Sequence, residues 1–196
     1  AHALYYFKKA SELNPGNEND KLLFQYMIGR CFLNLNEPDS AIAYLETAVP
    51  TSAKKYCYYY LGKAWLQKKN YESSKNAFRA AVRVDTNYVD AYNGMALLFI
   101  KQNQLLNAME WLLKATKKNK ENPETFYLTA RVLFMTGKYD SAIETLTDLI
   151  KWKPYYADAI YFLATVYLEK GETEKSFILQ QRAFELIPEL RYTPAE

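Results

Sequence analysis

Residues Asn70 to Asp90 read N-Y-E-S-S-K-N-A-F-R-A-A-V-R-V-D-T-N-Y-V-D. Tyr71, Ser74, Phe78, Ala81 and Val84 fall three or four apart, the spacing of one helical face. The same phrase returns elsewhere. Lys138 to Pro154 reads K-Y-D-S-A-I-E-T-L-T-D-L-I-K-W-K-P, Ala3 to Pro15 reads A-L-Y-Y-F-K-K-A-S-E-L-N-P, and Thr173 to Pro188 reads T-E-K-S-F-I-L-Q-Q-R-A-F-E-L-I-P. Self-similarity of this kind fixes the architecture before any local reading, because a repeated unit can bury its apolar face only against its neighbours.

The spacing is even. Phe78, Leu112, Leu146 and Gln180 are 34 residues apart, as are Ser74, Ala108, Ala142 and Ser176, and Ala81, Ala115, Leu149 and Ala183. A first helix in each unit keeps the same beat, with small residues at Gly62, Ala96, Ala130 and Ala164 and large ones at Trp65, Phe99, Leu133 and Tyr167. A 34-residue helix-turn-helix unit resembles the tetratricopeptide repeat family. Tyr58, Leu61, Gly62 and Trp65, followed by Tyr71, Phe78 and Ala81, match that family's pattern of aromatic, Leu-Gly, large residue, then Ala and aromatic places in a second helix. The resemblance covers nearly the whole chain and is specific for fold, not for partner.

The fold expected is all-α, a right-handed α-solenoid of stacked helix-turn-helix repeats in a single domain, with eleven helices. Residues 1–17 read as the second helix of a truncated unit. Full units follow at 22–54, 55–88, 89–122, 123–156 and 157–190, and 191–196 reads as a truncated tail. Four extra residues, Glu18 to Lys21, and a one-residue deficit around Pro50 to Ala53 are expected between helices, where loop length costs little. Asp39 or Asn36 is the expected cap of the helix after Pro38.

The formal charge of +3 is mild. Lys68 and Lys69, the lysines between 114 and 120, and Lys151 with Lys153 fall near expected helix C-termini. There a cation opposes the negative end of the helix dipole, at roughly 0.3–1 kcal/mol each. That placement accounts for them without a nucleic-acid groove. Cys31 and Cys57 read as buried free thiols, and two cysteines without a histidine cluster do not make a zinc site of the usual kind. No apolar run is long enough for a membrane span. His2 is the only histidine, and no nucleophile set, phosphate loop or nucleotide fingerprint is present. Asp140 and Glu144 read as solvated helix surface. The expectation is therefore no enzyme and no cofactor within these residues. The native N-terminus is expected to lie upstream, so the compartment, cytoplasmic or periplasmic, is left open.

In stacked helix pairs the first helices line the concave side. The resemblance implies that their outward face receives ligands. One ring of places there holds Tyr26, Tyr59, Asn93, Tyr127 and Tyr161. One turn on come Arg30, Lys63, Leu97, Arg131 and Thr165, and three residues before the ring come Leu23, Tyr56, Asp90, Glu124 and Asp158. A further turn on, Asn34, Gln67, Lys101, Met135 and Glu169 complete the face. Tyr and Arg are enriched where proteins bind proteins. The candidate partner-binding residues are thus Tyr26, Arg30, Tyr56, Tyr59, Lys63, Asn93, Lys101, Tyr127, Arg131 and Tyr161. Sideways packing of the tyrosines between neighbouring first helices is the competing reading of the same ring. Chaperone-binding members of the family clamp a peptide C-terminal carboxylate with Lys and Asn in one first helix, Asn in the next, and Lys and Arg in a third. Here Tyr26 and Arg30, then Tyr60, then Asp90 and Gly94 stand at those places, so the clamp is not expected. The function expected is a protein-protein interaction scaffold that binds a peptide or helical segment of a partner in the concave groove. The alternatives are a structural array or homo-oligomer, and a recruiting array fused to a catalytic domain elsewhere on the polypeptide.

Overall fold

A computed structural model describes residues 2–13, 16–50 and 52–188. Pro15 and the expected tail from Arg191 to Glu196 lie outside them. Eleven helices and no strand occur among the described residues. The chain divides after Gln102 into two compact units. The first holds α1 (His2–Leu13), α2 (Glu18–Asn34), α3 (Pro38–Ala48), α4 (Lys54–Gln67), α5 (Tyr71–Val84) and α6 (Val89–Lys101). The second holds α7 (Leu105–Lys118), α8 (Pro123–Met135), α9 (Tyr139–Trp152), α10 (Ala157–Glu169) and α11 (Thr173–Leu186).

In the first unit α1 packs on α2, α2 on α3 and α4, and α4 on α5 and α6. Their buried faces supply one core that includes Ile28, Phe32, Leu45, Cys57 and Leu61. In the second unit α8, α9 and α10 pack in sequence around Ala130, Leu146, Leu149 and Leu163, with α11 laid on α10. The small residues of the first helices sit where the next helix crosses. A methyl on Gly29 would meet Leu45 at 2.7 Å, and one on Gly62 would meet the ring of Phe78 at 2.5 Å. Ser74, on the buried face of α5, donates its hydroxyl to the Gly62 carbonyl at 2.8 Å, so a polar side chain is satisfied inside that crossing.

The link from first to second helix is built the same way in each repeat. Asn36, Lys69, Asn103, Gly137 and Gly171 all have φ between 56° and 80°. They are the left-handed residues that end an α-helix. Beyond four of them an amide reaches back along the helix: Glu37 donates to Phe32, Asn70 to Trp65, Lys138 to Leu133 and Glu172 to Tyr167, each at 2.9 Å.

Two local expectations need correction. Glu18 to Lys21 are not a loop. They form the first turn of α2, because Asn17 and Asp20 make a reciprocal capping box that starts the helix early. The cap of α3 is Glu37, whose side chain accepts no backbone amide, and Pro38 takes the first helical place. Asn36 instead supplies the left-handed turn, and Asp39 forms an ion pair with Lys68 of the next repeat. Both cysteines are free. Cys57 is buried with its thiol donating to the Ala48 carbonyl at 3.4 Å, whereas Cys31 is only partly buried.

Candidate functional site

The tyrosines of α4 are where the first unit gathers its aromatic and cationic side chains. Four tyrosines within five residues of a helix must point in several directions. Tyr58 turns into the core. Tyr56, Tyr59 and Tyr60 face α2 and the segment that leads into α6. Tyr60 meets Tyr26 at 6.0 Å between ring centroids, and Tyr56 meets Tyr26 at 6.3 Å. On the other side Tyr88 stands edge-on to Tyr56 at 5.3 Å and to Tyr59 at 5.6 Å. Such tilted and T-shaped pairs are the favoured aromatic geometry.

Three cations cover these rings. The Arg30 guanidinium lies 5.0 Å from the Tyr60 ring and 5.4 Å from that of Tyr26, and it donates to the Tyr26 hydroxyl at 3.3 Å. Lys63 lies 5.8 Å from both Tyr59 and Tyr60. Lys55 lies over Tyr56 and Tyr88 while paired with Asp85 at 2.6 Å. Cation–π contacts of this kind contribute about 0.5–1 kcal/mol each at exposed sites. Burial pushes the Tyr88 hydroxyl well above its ordinary range, and the Asp90 charge adds to the shift. Burial also raises the Asp90 carboxyl, against the opposing pull of a hydrogen bond from Tyr88 and the charge of Lys63.

The second unit carries a related set. Tyr127 meets Tyr156 at 5.9 Å, Arg131 lies 6.0 Å from the Tyr127 ring, and Tyr156 donates to Glu124 at 3.0 Å. Burial and the Glu124 charge raise the Tyr156 hydroxyl as burial and Asp90 raise that of Tyr88. Tyr59, Lys63, Tyr88 and Asp90 lie 68 residues before Tyr127, Arg131, Tyr156 and Asp158, which is two repeats. The intervening repeat has Asn93, Leu97 and Asn122 at the places of Tyr59, Lys63 and Tyr88.

The candidate residues therefore have unequal surroundings. Tyr26 is only 8% exposed and Asn93 only 3%, so neither offers a ligand much surface. Tyr26 is enclosed by two neighbouring tyrosines and Arg30, and α6 is buried along most of its length. This is the sideways packing that competes with ligand contact. Tyr59 and Tyr127 are half-buried. Tyr59 also touches Phe78 at 5.9 Å. Tyr161 packs on Phe184 of α11 instead of a neighbouring first helix. Tyr56 at 38% and Lys101 stay exposed, and Arg30, Lys63 and Arg131 are half-buried over their rings. Register along single helices missed Tyr60, Tyr88, Tyr156 and Lys55. The signal was present as Tyr88-Val89-Asp90-Ala91 and Tyr156-Ala157-Asp158-Ala159, the same phrase at twice the repeat length.

Among the described residues no group of three or more His, Cys, Asp or Glu side chains could hold a metal, and no helix is long and apolar enough to cross a membrane.

The family model described as tetratricopeptide repeat protein 21 ARM repeat matches residues 19–180. A curated relative, the UDP-N-acetylglucosamine–peptide N-acetylglucosaminyltransferase of Giardia intestinalis, is 26% identical over 122 residues, covering 62% of this chain. The chain spans only 8% of that relative's length. Among solved structures, TTC0263, a thermophilic TPR protein of Thermus thermophilus, superposes with a TM-score of 0.77 at 17% identity, covering 85% of this chain and 92% of that one. YrrB, a TPR protein described as having an unusual peptide-binding site, gives 0.55 at 23% identity, covering 93% and 92%. At these identities the structural likeness shows the fold alone.

Proposed function

The chain belongs to the tetratricopeptide repeat family, and on that premise we propose that it is a protein-interaction module that binds an extended or helical segment of a partner on the outward face of its first helices. Folds of this family serve protein–protein interaction in general, and YrrB carries a peptide-binding site by its own description. The observation that carries the proposal for this chain is the recurrence, once in each unit, of a half-buried tyrosine, a cation over its ring, a second tyrosine and an aspartate. Half-exposed aromatic and cationic side chains, already ordered by one another, lose little freedom when a partner settles on them. We assign no catalysis and no cofactor to these residues, and the carboxylate clamp for chaperone tails is not part of the proposal.

The test starts from a partner recovered by affinity capture and identified by mass spectrometry. Hydrogen-exchange footprinting of the complex should show new protection across α4 and α8. Protection confined to α5 and α9 would refute this face as the site.

Two further readings each rest on one observation. Phe177 and Ile178 of α11 are 62% and 60% exposed, which favours a role in which α11 is covered by further repeats or a second copy. Sedimentation of the chain over a concentration series separates self-association from a monomeric binder. The likeness to the Giardia intestinalis transferase favours a recruiting array carried by an enzyme, with the chemistry in another domain.

A further inference from the structure

Next to the tyrosine cluster of the first unit lies a cleft of about 310 Å³. The end of α4 supplies Lys63, Leu66 and Gln67, the turn after it supplies Lys69, and α6 supplies Leu97 and Lys101. Three cations and no carboxylate line it. Some lysines elsewhere sit against acids, as Lys55 with Asp85, Lys170 with Asp140 and Lys175 with Glu172, each at 2.6 Å, and others, such as Lys114 and Lys153, lie over tryptophan rings. Among the described residues neither Lys63 nor Lys69 has a carboxylate within ion-pair distance, although Asp90 senses the charge of Lys63. Lys69 has a second peculiarity. The equivalent turn residue is Asn36, Asn103, Gly137 or Gly171 in the other repeats, all types that enter the left-handed region readily. Lysine there holds φ at 58° at a cost of roughly 1–2 kcal/mol. Strain kept at a cleft is a pointer to use.

We infer that this cleft takes an acidic peptide segment, with two or more carboxylates set among Lys63, Lys69 and Lys101 and an apolar side chain seated on Leu66 and Leu97. The inference rests on the proposed binding of a partner segment to the first helices, and it names the chemistry of that segment. Charge complementarity selects the occupant, since the cleft is lined by cations and by no acid. The volume suits a few side chains at a time, so the specificity is for a short acidic phrase, not for a whole helix.

The experiment uses the full chain and two fluorescein-labelled synthetic peptides, Gly-Leu-Glu-Glu-Leu-Glu-Gly and its counterpart with glutamine for glutamate, read by anisotropy. The glutamate peptide should bind, more weakly as salt is raised, and the glutamine peptide roughly tenfold more weakly. Lys69→Gly with Lys101→Gln should remove most of that difference, while Lys114→Gln with Lys117→Gln in α7 leaves it within about twofold. Because Lys69→Gly relieves the strained turn, that single variant should melt no lower than the parent while it weakens binding of the glutamate peptide, which separates lost binding from lost fold. No binding of the glutamate peptide, retained discrimination in the Lys69 and Lys101 variant, or an equal loss in the α7 control would each overturn the inference. So would an oligothymidine that binds more tightly than the glutamate peptide, since the cleft would then serve a nucleic-acid backbone. If the footprint of the recovered partner on the parent chain falls on α4 and α8 and the Lys69 and Lys101 variant loses the peptide difference, both inferences stand. If the footprint fails and the peptides discriminate, only the wider reading falls.

Discussion

Phe78 is wholly buried because two glycines leave it room. A methyl built on Gly62 would meet its ring at 2.5 Å, and one built on Gly94 would meet it at 2.4 Å. From the sequence, Gly62 was legible as a close crossing. Gly94 stood out only at a place of the absent carboxylate clamp, because periodicity along α6 cannot show which ring of another helix needs the space. Gly94→Ala should cost roughly 1–3 kcal/mol in chemical unfolding by overpacking against that ring. Phe78→Leu should recover part of the loss in a double-mutant cycle, and additive losses would mean that the two residues do not meet.

Asp90 gives a second test at this scale. Its folded-state pKa is raised by burial above the unfolded value of about 3.9. Below that unfolded value the carboxyl is protonated in both states and carries no penalty. As pH rises through the folded pKa, the folded state must hold a desolvated charge and loses stability. Asp90→Asn should therefore raise the melting temperature at neutral pH and have little effect near pH 3. A stabilisation that grows toward low pH would contradict the assignment.

Helix boundaries follow the repeat closely where one residue type dictates them. Gly137 and Gly171 announce their left-handed turns, while Asn36, Lys69 and Asn103 do the same work with less obvious chemistry. The early start of α2 was hidden because Gly16 reads as a loop residue, although Asn17 and Asp20 carry the capping signal three residues apart. Burial is uneven among the helices. α1 has no buried residue, and α11 buries only Ser176 and Ala183, with Gln180 turned to donate to Ser176 where other repeats place a large apolar side chain. Local opening should follow that unevenness. Amide hydrogen exchange should be fastest in α1 and α11 and slowest in α4, α6 and α8. Equal protection in all eleven helices would show that burial does not set local stability here.

At the scale of the chain, the 34-residue beat carried the fold outright, since it requires helical pairs and no sheet. The candidate site was half legible. Arg30, Lys63 and Arg131 could be placed beside a line of tyrosines from spacing within each helix. Tyr60 and Tyr88 could not, because they enter the cluster through contacts between segments about 30 residues apart. Those contacts also change how the site should be probed. Tyr59 supports Phe78, so its truncation would mix binding with stability, whereas Lys63 and Arg131 are half-buried cations over their rings. Calorimetric titration of the recovered partner segment against the chain and two charge-reversed variants is the most direct test of the central claim. The parent should bind with a Kd on the order of micromolar, as a flexible segment that orders on binding does. Lys63→Glu with Arg131→Glu should weaken it roughly tenfold or more, while Glu110→Lys with Glu144→Lys, on the second helices, leaves it within about twofold. Unchanged binding in the first variant with loss in the second would contradict the account and move the partner to the second-helix surface.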